Sequence, residues 1–263
     1  MLNDAVAEQQ EEDMTPEEIN RIALENTPDV NIIRHDDFFR HDVLSMVNGD
    51  DCIGIELGVA GGDFSRRMID SNKFRKFFGV DLYEDHHNVV EYKNALKLIG
   101  LEKNYVLLRM SFDEACDLFD DDYFDFIYFD GYAHTGEEGG KTFVDWYKKL
   151  KIGGVFAGDD YHERWPLVVW AVNHIVSQIG CDLHVTGQTE ITNLNRYPSW
   201  FFVKQGHVDF SPSDELLKLG SEIMAETRKK LSHIKMSIED IANLLIQVRA
   251  RNPAAAEELK KLL

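Results

Sequence analysis

From Cys52 onward, short apolar runs alternate with stretches whose apolar residues recur at helical spacing. Seven runs read as strands: CIGIELG, FFGVDL, YVLLRM, FDFIYFD, GGVFAGD, DLHVTG and SWFFVKQ. Helical segments start near Asp63, His87, Phe112 and Glu137, and a fifth runs from about Pro166 to Ile179. Near-continuous apolar strands separated by helices predict an α/β fold, a doubly wound and mainly parallel sheet with helices on both faces. The last two strands are joined by polar residues from Gln188 to Pro198 with no helical period, which predicts an antiparallel pair at one edge.

Upstream, Thr15 as N-cap, Pro16 at the first helical position and Glu17 and Glu18 in the first turn predict a helix over TPEEINRIALEN. A second amphipathic segment runs from Phe38 to Met46. After Pro212 the pattern is helical, with Ser213 and Ser237 as N-caps and later segments SIEDIANLLIQVRARN and AAAEELKKLL. The expected division is an N-terminal helical extension (1–50), a central α/β domain (51–208) and a C-terminal helical tail (209–263) that packs on the domain or on a second copy.

Composition narrows the class. The chain has 263 residues, 44% of them hydrophobic, enough for one substantial core. Lys and Arg number 28 against 47 Asp and Glu, a net charge of -19 without a basic stripe, which disfavours nucleic-acid and anionic-membrane partners. Cys52, Cys116 and Cys181 are scattered, as reduced buried thiols would be. The first residues, MLNDAVAEQQEEDM, carry acids where a signal peptide carries bases, and no apolar run approaches the ~20 residues of a membrane span. A cytoplasmic protein is expected.

Candidate chemistry begins at ELGVAGGDFS, where an apolar strand ends in Glu56 and enters a turn with Gly58, Gly61 and Gly62. Ala60 stands where the dinucleotide fingerprint needs its second glycine, and no Gly-Lys-Ser/Thr follows, so pyrophosphate and triphosphate readings both fail. An acid at Glu56 favours a cationic ligand. Asp81, at the end of the next strand, is placed for a ribose diol. An adenosyl ligand with a cationic head and no phosphate is S-adenosylmethionine.

Further acids stand at later strand ends: Asp130 in YFDGYAH, and Asp159 with Asp160 in VFAGDDY. Adjacent strands would bring these carboxylates together, and their mutual repulsion asks for a cation; Mg²⁺, with its oxygen ligands, is the expected one. His162 follows the Asp pair as a candidate base. Tyr83, His86, His87, Tyr132, Tyr161 and Trp165 are candidates for the lining of an acceptor pocket.

Over about Asp51 to Gln205 these residues together resemble the class I S-adenosylmethionine-dependent methyltransferases, with E-x-G-x-x-x-G at Glu56, Gly58 and Gly62 and the ribose acid at Asp81. The arrangement is most similar to small-molecule O-methyltransferases of the macrolide-sugar type. The resemblance implies a seven-stranded Rossmann-like sheet of order 3-2-1-4-5-7-6 with strand seven antiparallel. It implies adenine contacts from Ser111 and Phe112 in RMSFDEA, and a role for Asp130 at both the cofactor and the metal. It also implies Mg²⁺ ligands at Asp130, Asp159 and Asp160. The family motif Asp-Gly-x-His implies a general base at His134, which comes one residue late here. The expected activity is methyl transfer to a hydroxyl of a small molecule, a sugar hydroxyl first and a catechol-like phenol second. The alternatives are a metal-independent methyltransferase, an aminopropyltransferase-like enzyme, and an adenosyl-binding module without catalysis.

Overall fold

The computed structural model describes residues 14–84, 89–189, 195–233 and 246. The chain divides into two units, residues 1–221 and 222–263. The first contains an eight-stranded sheet of order β1-β7-β8-β6-β5-β2-β3-β4. Its strands are β1 (Ile32–His35), β2 (Cys52–Leu57), β3 (Phe74–Val80), β4 (Tyr105–Leu108), β5 (Phe124–Phe129), β6 (Leu150–Gly158), β7 (Leu183–Thr186) and β8 (Trp200–Val203). β8 runs antiparallel to both β6 and β7, and the other pairings are parallel. Renumbered from β2, this is the expected 3-2-1-4-5-7-6 order.

The helices are α1 (Pro16–Asn26), α2 (Asp63–Asp70), α3 (Val89–Ala95), α4 (Phe112–Cys116), the single turn α5 (Gly136–Gly139), α6 (Lys141–Tyr147), α7 (Pro166–Ile179) and α8 (Asp214–His233). Thr15 closes a capping box with Glu18 at the start of α1. Ser213 accepts the Leu216 N–H at the start of α8. The later tail segments, with Ser237, lie outside the described residues. Among the described residues no helix is long and apolar enough to cross a membrane.

Two expectations about the ends of the sheet need correction. The extension over residues 1–50 is not purely helical, because β1 pairs with β7 and displaces it from the edge. The β7–β8 pair is antiparallel as expected but lies inside the sheet. β1 is locked there partly by His35 Nε2 against His184 Nδ1 at 2.9 Å. Beyond β1 the chain turns, with the Gly187 N–H donating to the carbonyls of His35 and Phe38, and enters a 3-10 helix, Arg40–Met46. Lys73 Nζ fastens that helix through the carbonyls of Leu44 and Val47, at 2.9 and 2.8 Å.

All six residues of β2 are buried, as a central strand covered on both faces requires. The register aligns Leu57 with Val80 and with Phe129, and Phe129 with Gly158. Parallel strands that stop in register release their next residues side by side. Gly58, Asp81, Asp130 and Asp159 therefore leave the sheet together, each still donating its N–H to a neighbouring strand, at 2.9, 3.1, 2.8 and 2.9 Å. In open α/β sheets this carboxyl end is where ligands bind.

Candidate active site

The glycine turn packs directly on the end of β5. Gly58 has φ +98°, and a Cβ there would collide with the carbonyl of Asp130, so both conformation and space demand glycine. Gly62, φ +90°, precedes α2 as its N-cap. Among the described residues, a Cβ at Gly61 would meet only the Asp63 carboxylate, at 3.8 Å. Ala60 holds the left-handed region with φ +46°, where a side chain is strained.

Asp81 fixes this turn. Its Oδ2 accepts the N–H groups of Val59 and Ala60 at 3.0 and 2.9 Å, and its Oδ1 accepts that of Tyr83 at 2.9 Å. Ala60 returns a bond through its carbonyl, which accepts the Tyr83 hydroxyl at 2.9 Å. Tyr83 is 2% exposed and belongs to this clamp rather than to an acceptor pocket. Tyr161 is likewise a buried packing residue, its hydroxyl donating to Asn173 Oδ1 at 2.7 Å. His86 and His87 lie outside the described residues.

Ser111 caps α4 reciprocally with Glu114. Phe112 is buried beneath Gly131 and packs on Tyr132, ring centroids 4.7 Å apart.

Sequence reading missed the residue at the centre of the site. Arg40, the first residue of the 3-10 helix, is 7% exposed. Its Nη1 donates to Asp159 Oδ2 at 2.9 Å, its Nη2 donates to Asp130 Oδ2, and Glu56 Oε1 lies 4.0 Å from Nη2. The guanidinium carbon stands 4.6 Å from the Phe64 ring centre and 5.0 Å from that of Tyr128. Burial opposes the Arg40 charge, but Asp130, Tyr128, Asp159 and Glu56 hold it firmly protonated. Glu56 itself is 1% exposed and accepts the Ser65 hydroxyl; burial pushes its carboxyl well up, against the pull of Arg40 and that bond.

The expected magnesium site does not fit this arrangement. Asp130 and Asp159 already share a cation, the guanidinium, and the second oxygen of Asp159 accepts the Ser199 hydroxyl at 3.0 Å. Asp160 does not join them, since neither of its oxygens is bonded to Arg40. Among the described residues no group of three or more His, Cys, Asp or Glu is arranged to hold a metal ion. The repulsion that asked for Mg²⁺ is answered from within the chain.

Burial, against the pull of Arg40, pushes the Asp159 carboxyl up to about 7. Burial, with Asp159 and Asp130 adding their charge, pushes the Asp160 carboxyl up to about 8. Glu137 was expected near the start of a helix. Instead Glu137 and Glu138 take left-handed conformations, φ +54° each, and the regular helix is α6. Glu137 is 4% exposed and its Oε2 has no hydrogen-bond partner among the described residues. Burial, then Asp160 and Asp130, drives its carboxyl well above the usual range.

The two candidate bases occupy nearby loops. His134 is exposed, its ring edge-on to Trp165 with centroids 4.7 Å apart. His162 Nδ1 accepts the Arg164 N–H at 3.1 Å, and its ring lies 5.1 Å from that of Tyr197.

Residues 55–161 match a family model described as a methyltransferase domain. No curated protein matches. Among solved structures, spermidine synthase from Thermotoga maritima is 16% identical with a TM-score of 0.49, covering 64% of this chain and 60% of its own. An S-adenosylmethionine-dependent methyltransferase from Mesorhizobium loti is 21% identical with a TM-score of 0.36, covering 44% of this chain and 50% of its own. The match thus spans three fifths or less of those proteins' lengths. The glycine turn and the acid-tipped strand ends all lie within residues 55–161, the stretch that matches the model of a methyltransferase domain.

Proposed function

We propose that the chain transfers the methyl group of S-adenosylmethionine to a hydroxyl of a small molecule, a sugar hydroxyl being the first choice, and that it does so without a resident metal. The observation that carries this reading is the turn from Glu56 to Gly62, closed on Asp130 and clamped by Asp81. When bound, the cofactor supplies an electrophilic methyl group on a sulfonium. Asp81 meets the ribose hydroxyls, with Ser111 and Phe112 beside the adenine. Glu56 and Asp130 set the negative potential that suits a cationic head. Arg40 bridges Asp130 and Asp159 and fixes them in place, so the floor of the site is organised before any ligand arrives.

His134 takes the acceptor's proton as its oxygen gains the methyl group. It stands exposed on the loop after β5, edge-on to Trp165, while His162 Nδ1 accepts the Arg164 N–H. A base of this kind contributes about 10²–10⁴ in rate. The role that Mg²⁺ plays in the resembling enzymes falls here to the chain's own positive charge.

Calorimetry tests the cofactor assignment. Wild type should bind S-adenosylhomocysteine, and Asp81→Ala should bind at least about tenfold more weakly, as loss of a charge-assisted hydrogen bond costs about 1.5–3 kcal/mol. Unchanged affinity in a folded variant would remove Asp81 from the site. Turnover on a verified acceptor should survive EDTA. A product carrying an aminopropyl group would point to the other transferase class.

A further inference from the structure

Four rings meet at the carboxyl end of the sheet. His134, on the loop after β5, stands edge-on to Trp165 with centroids 4.7 Å apart. Trp165 in turn meets Tyr197 at 5.9 Å and 87°, so the two larger rings form a right-angled corner. His162 closes the row against Tyr197 at 5.1 Å. The histidine assigned as the base therefore borders the corner directly.

The corner is built on a fixed backbone. The Trp165 N–H donates to the His162 carbonyl, and the His162 N–H to that of Asp160, both at 2.8 Å. The Tyr161 N–H donates to the Pro198 carbonyl at 3.0 Å, and Ser199 Oγ donates to Asp159 Oδ1 at 3.0 Å. These bonds fasten the segment that carries Tyr197 to the end of β6. Asp159 is in turn bonded to Arg40, so the corner and the acids of the site share one hydrogen-bonded frame.

Two arginines flank the corner at Tyr197. Arg164 is exposed and its Nη1 donates to the Tyr197 hydroxyl at 3.4 Å. Arg196 is exposed, with its guanidinium carbon 5.7 Å from the Tyr197 ring centre. Among the described residues neither guanidinium is bonded to a carboxylate, and Glu163, next to Arg164 in sequence, is bonded to neither. The Trp165 indole N–H is buried and has no acceptor among the described residues. In a chain of net charge -19, the two arginines lay a local positive field over this corner. A guanidinium fork matches carboxylate and phosphate oxygens. Two aromatic walls at a right angle hold a ring by its face on one and its edge on the other. The ligand that suits the corner has a ring and an anionic group.

We propose that Trp165, Tyr197, Arg164 and Arg196 form the subsite for the methyl acceptor, and that the acceptor is acidic: a hydroxylated ring, sugar or phenol, that carries a carboxylate or phosphate. The ring lies in the corner, the anionic group meets the arginines, and the hydroxyl is turned towards His134. This rests on the methyl-transfer reading for the meaning of the site, but binding alone can test it.

The probes are three pairs that differ by one anionic group: glucuronate and glucose, myo-inositol monophosphate and myo-inositol, protocatechuate and catechol. Each is titrated by ligand-detected NMR into protein loaded with S-adenosylhomocysteine. At least one acid should bind about tenfold or more tightly than its neutral counterpart, the ratio expected of one charge-assisted hydrogen bond. The pair with the largest ratio tells carboxylate from phosphate and sugar from phenol. Arg164→Gln combined with Arg196→Gln should reduce that ratio to below about threefold, and both side chains are exposed, so the variant should fold. Trp165→Leu should weaken the acid and its neutral counterpart alike, since it removes a wall and no charge. The inference is overturned if no acid is preferred, if the double arginine variant keeps the preference, or if Trp165→Leu leaves binding of the preferred acid unchanged. Failure to bind S-adenosylhomocysteine strikes the methyl-transfer reading instead, and the acid-to-neutral ratio of the unloaded protein then decides this one.

Discussion

Two groups of acids share one end of the sheet, and they are held in opposite ways. Asp130 and Asp159 are bridged by a buried guanidinium seated against Phe64 and Tyr128. Glu137 is buried and Asp160 half-buried, and among the described residues neither has a cation bonded to it. The first group has its own counter-charge, although burial still pushes the Asp159 carboxyl up to about 7 against the pull of Arg40. The second is left incomplete at a cost to stability. A bridged pair builds a scaffold, and unbridged acids leave stability to depend on pH.

The largest expected effect breaks the bridged half. Arg40→Met leaves the largely buried Asp159 and the half-buried Asp130 without a counter-charge, which should cost about 3–5 kcal/mol in urea unfolding. Adding Asp159→Asn to that variant should recover part of the loss, since one of the unpaired charges is then gone. If Arg40→Met is as stable as wild type, the guanidinium is a bystander.

The unfinished half should show itself in the pH dependence of stability. An acid whose folded pKa lies above its unfolded value binds more protons when folded. Asp160, at about 8 folded against about 4 unfolded, therefore lowers stability progressively as pH rises through that window, and the effect is complete above it. Glu137 is raised in the same direction. Asp160→Asn and Glu137→Gln should each flatten the fall in melting temperature across the window. A slope unchanged in both variants would mean that these groups are solvated after all.

A smaller effect concerns the turn. Ala60 pays for its left-handed backbone, so Ala60→Gly should stabilise the protein by about 1 kcal/mol while the Asp81 clamp, which uses only backbone N–H groups there, is kept. A loss of stability in thermal unfolding would show that the methyl group packs usefully.

The contrast also separates what local sequence displays from what it hides. The seven strands after Cys52 were legible because central parallel strands are apolar almost throughout, as CIGIEL and FDFIYF are. β1, IIRH, was missed: four residues, half-buried, with no alternation to mark them. The turn from Glu56 to Gly62 and the acid at Asp81 were legible because backbone shape and strand-end position dictate residue type locally. Arg40 was not, because it sits in a polar stretch and meets Asp130 and Asp159 only through the fold, 90 and 119 residues away. Reading three acids without their distant counter-charge turned an internal ion pair into an expected metal site. Glu137 was read as a helical position, and only the left-handed turn, wedged by Gly136 and Gly139, buries it.

The central claim is that Arg40 is the resident cation of this site. Electron paramagnetic resonance of Mn²⁺, titrated into wild type with and without S-adenosylhomocysteine, tests it directly. The Mn²⁺ signal should remain that of the free ion at every protein concentration up to the millimolar range. A stoichiometric bound signal that disappears in Asp159→Asn would contradict the account, because it would place a metal where the guanidinium is seated.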